Sequence, residues 1–203
     1  DPLPDIYPGG AGDGRLAWRR RDDGGYTLAT SGFHEFFVGP DAFRSFTRFV
    51  PKLLQDFSNT RLLPKAPVDY PDAWGTARRW SGDAVSPFEK MRVLDPTPNA
   101  KKVAQLARDF TATFPSVGVT PIKKAWAGMI DTMPDIVPVV DTCAAIPGLT
   151  ICTGMCGHGF GIGPGMGRIS ARLATGRDAG HDLSRFRLSR FSDGSRLVSG
   201  PNL

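Results

Sequence analysis

The sequence has no run of about 18 apolar residues, so no stretch of it reads as a membrane-spanning helix. Cysteine is scarce: the chain holds three, Cys143, Cys152 and Cys156. An odd count excludes a fully paired intramolecular disulfide set, and Cys152-x3-Cys156 lacks the two-residue spacing of a redox or zinc-knuckle pair. No second Cys/His pair stands at zinc spacing, so no metal site is expected. The thiols read as free and buried, as in a reducing cytoplasm. Positive charge exceeds negative by five, but it forms no serial Lys/Arg stripe. The one dense run, Arg19-Arg20-Arg21, is followed at once by Asp22-Asp23. With no recognisable module, nucleic-acid binding is not expected. There is no internal repeat, and no charged-then-apolar start of the signal-peptide type. The chain begins with Asp rather than Met, which fits a processed chain, a fragment or one part of a larger protein.

What is present is globular in balance: 203 residues, 40% hydrophobic and 22% charged. Gly 24 and Pro 18 are high and point to many turns. After a Pro/Gly-rich loop over 1–14, two strands, 16–21 and 26–31, flank the hairpin signal "DDGG". In that hairpin Arg19 and Arg21 share one face; they read either as a solvated edge or as a clamp for a substrate carboxylate. A helix opens near Asp41 as N-cap, with Phe43, Phe46, Val50, Leu53, Leu54 and Phe57 as a buried stripe and Pro51 kinking or ending it. Residues 60–98 read as a Pro-rich excursion with a short strand over 89–94. A second helix starts after Asn99 and buries Val103, Leu106, Ala107 and Phe110. Strands are then expected over 119–128, 136–140 and 149–153. The fold class is mixed α+β with a largely antiparallel sheet.

The densest feature is "TGMCGHGFGIGPGMG", residues 153–167, with seven glycines. Pro164 suits the first turn of a helix, and Met166, Ile169, Leu173 and Ala174 recur at helical spacing before Gly176. The pattern therefore predicts strand 149–153, glycine loop 154–163 and helix 164–175. A glycine loop feeding a helix N-terminus offers free N–H groups and partial positive charge. It has no GK[ST], so it is no P-loop. It also lacks an acidic residue about 20 positions on, so it is a poor dinucleotide fingerprint. The residues alone leave two readings: a backbone cradle for a flat, partly anionic ligand, or a tight packing loop with no ligand.

"WAGMIDTMPDIVPVV", 126–140, followed by "GLTICTGMCGHGFGIGPGMGRISARLATG", 148–176, resembles the C-terminal end of the FAD-dependent amine and amino-acid oxidoreductases. That is the D-amino-acid oxidase superfamily, with glycine oxidase and sarcosine oxidase. "FRLSRF", 186–191, is similar to tails in that group, and "RRRDDGGYTLA" to its substrate-domain strands. The resemblance implies a substrate-domain portion over 1–118, the C-terminal part of an FAD-binding domain over 119–191, and a tail over 192–203. It implies hydride transfer from the carbon beside an amine or amino-acid nitrogen to FAD. It also implies that Met155, Cys156, Gly157, His158, Gly159, Phe160, Gly161, Ile162 and Gly163, with Ile130, face the cofactor. His158 is either an acid/base or a backbone and packing element beside the ring.

The resemblance covers the latter half of such proteins. Their N-terminal Rossmann unit with GxGxxG has no counterpart here, so a second chain or segment carrying it is the expected partner. Gly128 falls where sarcosine oxidases carry the cysteine that attaches FAD, so non-covalent FAD is expected. Ile130 stands in place of a substrate-binding arginine, Gly161 in place of a lysine, and Thr27 near the position of the lysine that assists oxygen. An oxidase and a dehydrogenase are then both compatible with the chain. Arg19 or Arg21 is left as the candidate carboxylate clamp. The competing reading is a non-catalytic or partner-dependent scaffold that has lost the dinucleotide half.

Overall fold

The computed structural model describes residues 3–200. Residues 1 and 2 of the expected first loop, and 201–203 of the expected tail, lie outside the described residues. The architecture is mixed helix and strand, with three small sheets, two antiparallel and one parallel. The chain divides into two compact units. One runs to Phe46 and resumes over Asp56–Met129; the other comprises Thr47–Gln55 and continues from Ile130.

In the first unit β1 (Gly10–Gly12), β2 (Leu16–Arg20) and β3 (Tyr26–Thr30) form an antiparallel meander. The turn between β2 and β3 is closed by Asp23, whose Oδ1 accepts from Gly25 N at 3.1 Å, while Gly24 takes the left-handed φ of 81°. Against this sheet packs α4 (Ala100–Thr113). Its N-cap is Asn99, as the spacing predicts: Oδ1 accepts from Lys102 N at 3.1 Å, and Nδ2 donates to Glu35 at 2.7 Å. Leu16, Phe110 and Val117 make the core, with Trp18 and Phe114 in an edge-on contact at 4.9 Å.

The stretch from His34 to Leu63 departs from expectation in four places. β4 (His34–Phe37) and β5 (Thr60–Leu63) pair in parallel, joined by α1 (Pro40–Arg44) and α2 (Phe46–Asp56). Parallel strands need such a crossover, and short segments of this kind carry no local signal. The cap of α1 is Gly39 rather than Asp41. The Asp41 N–H, inside the first turn, donates to both Asp72 oxygens at 2.9 and 3.1 Å. Any Cβ on Gly39 would collide with the Asp72 backbone carbonyl, so glycine alone fits the close approach. The expected buried stripe is at the surface: Phe43, Phe46, Leu54 and Phe57 are exposed, and Val50 and Leu53 half-buried. The first unit's core is built from the meander and α4 and does not include them. Pro51 lies inside α2 and does not end it; the helix runs on to Asp56.

The expected strand over 89–94 gives way to a short helix, α3 (Pro87–Lys90). Ser86 and Glu89 form a reciprocal capping box at 3.2 and 2.7 Å, a signature present in "SPFE" and stronger than any strand pattern there. Residues 119–128 form no strand; with no neighbouring strand to pair, Val119 is 93% exposed.

In the second unit β6 (Val139–Thr142) pairs antiparallel with β7 (Thr150–Thr153). β6 starts three residues later than expected, because Ile136 is in a turn with φ 55° and Pro138 has no N–H to pair. α5 (Gly159–Ala174) packs Met166, Ile169 and Leu173 with Val140 and Ala179. A buried ion pair ties the end of this unit to its start. Arg190 Nε and Nη2 donate to Asp135 at 2.8 and 3.1 Å, and Nη2 also donates to the Val137 carbonyl. Among the described residues no helix is long and apolar enough to cross a membrane.

Candidate functional site

β7 ends at Thr153, and the chain must then turn sharply into α5. Gly154 makes the turn with φ 68°, directly over Met133: a Cβ there would lie 2.5 Å from the Met133 Cγ. Its N–H donates to the Asp131 carboxylate at 2.8 Å. Cys156 follows with φ 51°, unusual for a residue with a side chain. Its N–H donates to the Asp131 carbonyl at 3.2 Å, and its thiol lies between Met133 N (3.3 Å) and Gly154 O (3.0 Å). Burial pushes the Cys156 thiol up, and the charges of Asp131 and Asp135 add to this, so the sulfur stays protonated at neutral pH. Cys156 is therefore an internal strut of the loop.

α5 begins at Gly159, with His158 as N-cap, and not at Pro164. The loop shrinks to 154–158, and Gly159, Phe160, Gly161, Ile162 and Gly163 belong to the helix. Low glycine propensity hides this start, while packing of Met166, Ile169 and Leu173 holds the helix in register. Pro164 lies inside the helix. The N–H groups of Gly161 and Ile162 turn back to His158 O at 3.1 and 3.2 Å. Among the described residues, no acceptor meets the N–H of Gly159 or Phe160. The His158 side chain makes no capping bond and is half-buried. Phe160 is 99% exposed. Nothing lies within 4 Å of where a Cβ would stand on Gly161, Gly163, Gly165 or Gly167.

This end of α5 thus offers unused donors at the positive end of a helix dipole, bare backbone and an aromatic face. Met155 and Ile162 are half-buried beside it, and Gly157 is exposed with φ 77°. Ile130 is exposed. Arg19 and Arg21 lie in the first unit. Arg19 is exposed on β2 opposite Thr27, and Arg21 pairs with Asp23 at 3.2 Å. Arg20 points elsewhere, donating to the Leu3 carbonyl at 2.7 Å. Among the described residues no group of three His, Cys, Asp or Glu could hold a metal ion.

The family model for FAD dependent oxidoreductases matches residues 10–173. The chain belongs to this family. Its members depend on FAD, and the donors and bare backbone at the start of α5 fit the electron-rich edge of such a group. N-methyl-L-tryptophan oxidases of Salmonella dublin and Salmonella typhimurium are 35% identical over 97 residues, which is 45% of this chain and 26% of theirs. The L-amino acid deaminase from Proteus vulgaris superposes with a TM-score of 0.76 at 25% identity, over 88% of this chain and 40% of that one. The Proteus myxofaciens L-amino acid deaminase, solved in complex with anthranilate, gives 0.79 at 22% identity over 95% and 42%, and so shares the fold. This chain spans about a quarter of the curated relatives' length and less than half of the structural ones'.

Two groups at this site escape sequence reasoning. Asp131 and Met133 brace the loop through one carboxylate and one thioether, which no spacing rule marks. Asp135 and Arg190 lie in the quoted "PDIVP" and "FRLSRF" segments, but only the fold brings them together.

Proposed function

We propose that this chain is the substrate-domain portion and the C-terminal part of the FAD-binding domain of a flavin-dependent oxidoreductase, divided near residue 118, with residues 192–203 as a tail. The substrate is an amino acid or N-substituted amino acid oxidised at its C–N bond. The relatives' names, N-methyl-L-tryptophan oxidase and L-amino acid deaminase, support this class. The observation that carries the reading is the start of α5: two helix N–H groups with no acceptor among the described residues, beside glycines with open space around them. FAD held non-covalently there would supply the hydride acceptor for the carbon next to nitrogen. Gly159 and Phe160 N–H groups would stabilise the negative charge that collects on a reduced ring. Gly157, Gly161 and Gly163 would let a flat group lie against backbone, and Met155, Phe160, Ile162 and Ile130 would exclude water. His158 would act through backbone and packing. The remainder of the cofactor would rest on a segment or second chain with a GxGxxG Rossmann unit. The setting is cytoplasmic.

Absorption spectroscopy of the purified full-length protein, with any polypeptide that accompanies it, tests this. Oxidised-flavin bands that bleach anaerobically with an amino acid are expected. Protein that stays colourless and takes up no FAD would leave the scaffold reading instead.

A further inference from the structure

We infer that Asp131 is the positioning residue for the flavin-facing end of α5. This rests on the proposed FAD site. The loop 154–158 has to reverse the chain within a few residues, and it does so through left-handed backbone at Gly154, Cys156 and Gly157. Cys156, with a side chain, holds that conformation only where its surroundings impose it. Asp131 imposes it twice. Its carboxylate accepts from Gly154 N at 2.8 Å and its carbonyl accepts from Cys156 N at 3.2 Å, so one residue brackets the tight part of the turn. Met133 closes the same turn from the other side, its side chain under Gly154 and its N–H on the Cys156 sulfur.

Two residues after Cys156 comes His158, the N-cap that aims the helix. A carboxylate bound to a backbone N–H forms a charge-assisted bond, roughly twice as strong as a neutral one. Asp131 otherwise sits on an irregular, exposed segment. Releasing the carboxylate frees the Gly154–His158 turn and lets the Gly159 and Phe160 donors wander, while the packed core around Val140 and Ile169 stays intact.

The test uses the full-length protein with Cys143→Ser and Cys152→Ser, which leaves Cys156 as this chain's thiol. Maleimide labelling of Cys156 reports opening of the loop, and fluorescence quenching on FAD addition reports affinity. Asp131→Ala should label about tenfold faster and bind FAD about tenfold more weakly, the loss expected of a bond to a charged acceptor. Its unfolding midpoint should be unchanged. Asp131→Asn keeps an acceptor oxygen but loses the charge, and should fall between the wild-type and the alanine values. The inference is overturned if Asp131→Ala labels at the wild-type rate, if both effects merely track a fall in unfolding midpoint, or if Asp131→Asn behaves like the alanine variant. Wild-type protein that takes up no FAD would sink the proposed function; the labelling rates would still decide whether Asp131 holds the loop.

Discussion

Arg190 and Asp135 are 5% and 3% exposed and form an ion pair at 2.8 Å. Removing one leaves the other buried without its counter-charge. Arg190→Ala should therefore destabilise the protein by about 3–5 kcal/mol, read by urea denaturation; a change under about 1 kcal/mol would mean that water already reaches the pair. Asp23 carries a different kind of pairing. Gly25 N–H first, then the side chains of Arg21 and Lys123, hold its carboxyl down at about 2. The folded value lies below the ordinary one, so the turn's stabilisation is complete above about pH 3.8 and fades as pH falls through about 2. Carboxyl carbon NMR should show that midpoint, and a midpoint near 3.8 would remove the bonds. Arg21 is engaged by this turn. Arg19 is exposed, and no carboxylate pairs with it among the described residues, so it is the better clamp candidate. An unchanged KM in Arg19→Ala would end that idea.

At the scale of elements, α5 sets stability against function. Glycine costs a helix about 1 kcal/mol relative to alanine, and at Gly161 and Gly163 a methyl group meets nothing within 4 Å. Gly161→Ala and Gly163→Ala should each raise stability by about 0.4–1 kcal/mol and weaken FAD binding. Thermal melts and FAD titration would show the two effects together; a gain in stability with unchanged affinity would remove these glycines from the cofactor face. The same glycines explain what could be read in advance. The β2–β3 hairpin and the Asn99-capped helix have local signals, turn residues and a cap, and they lie where the spacing puts them. The start of α5 does not, because glycine reads as loop until tertiary packing overrides it. β4 and β5 find each other across an intervening helix pair, which no short window contains. The glycine run itself stood out by composition, whereas Asp131 acts through single hydrogen bonds that only the folded loop creates.

At the scale of the whole molecule, apolar surface is left open. Phe43, Phe46, Leu54 and Phe57 are exposed on α1, α2 and the turn that follows, and Phe36 and Leu62 face outward from β4 and β5. Two-stranded sheets are marginal without cover, and apolar patches of this kind mark contact surfaces. The chain studied alone should therefore associate, with light scattering giving a mass that rises with concentration; a well-behaved monomer across the range would show that the patches are tolerated. The irregular segment from Val119 to Met133 has a further consequence. It holds Lys123 and Lys124, both exposed, on backbone that no helix or sheet protects, just before the division between the units. Exposed irregular segments of this kind are where proteolytic nicking concentrates. Brief trypsin digestion should cut first after these lysines, and a first cut elsewhere would show that this segment is held in place.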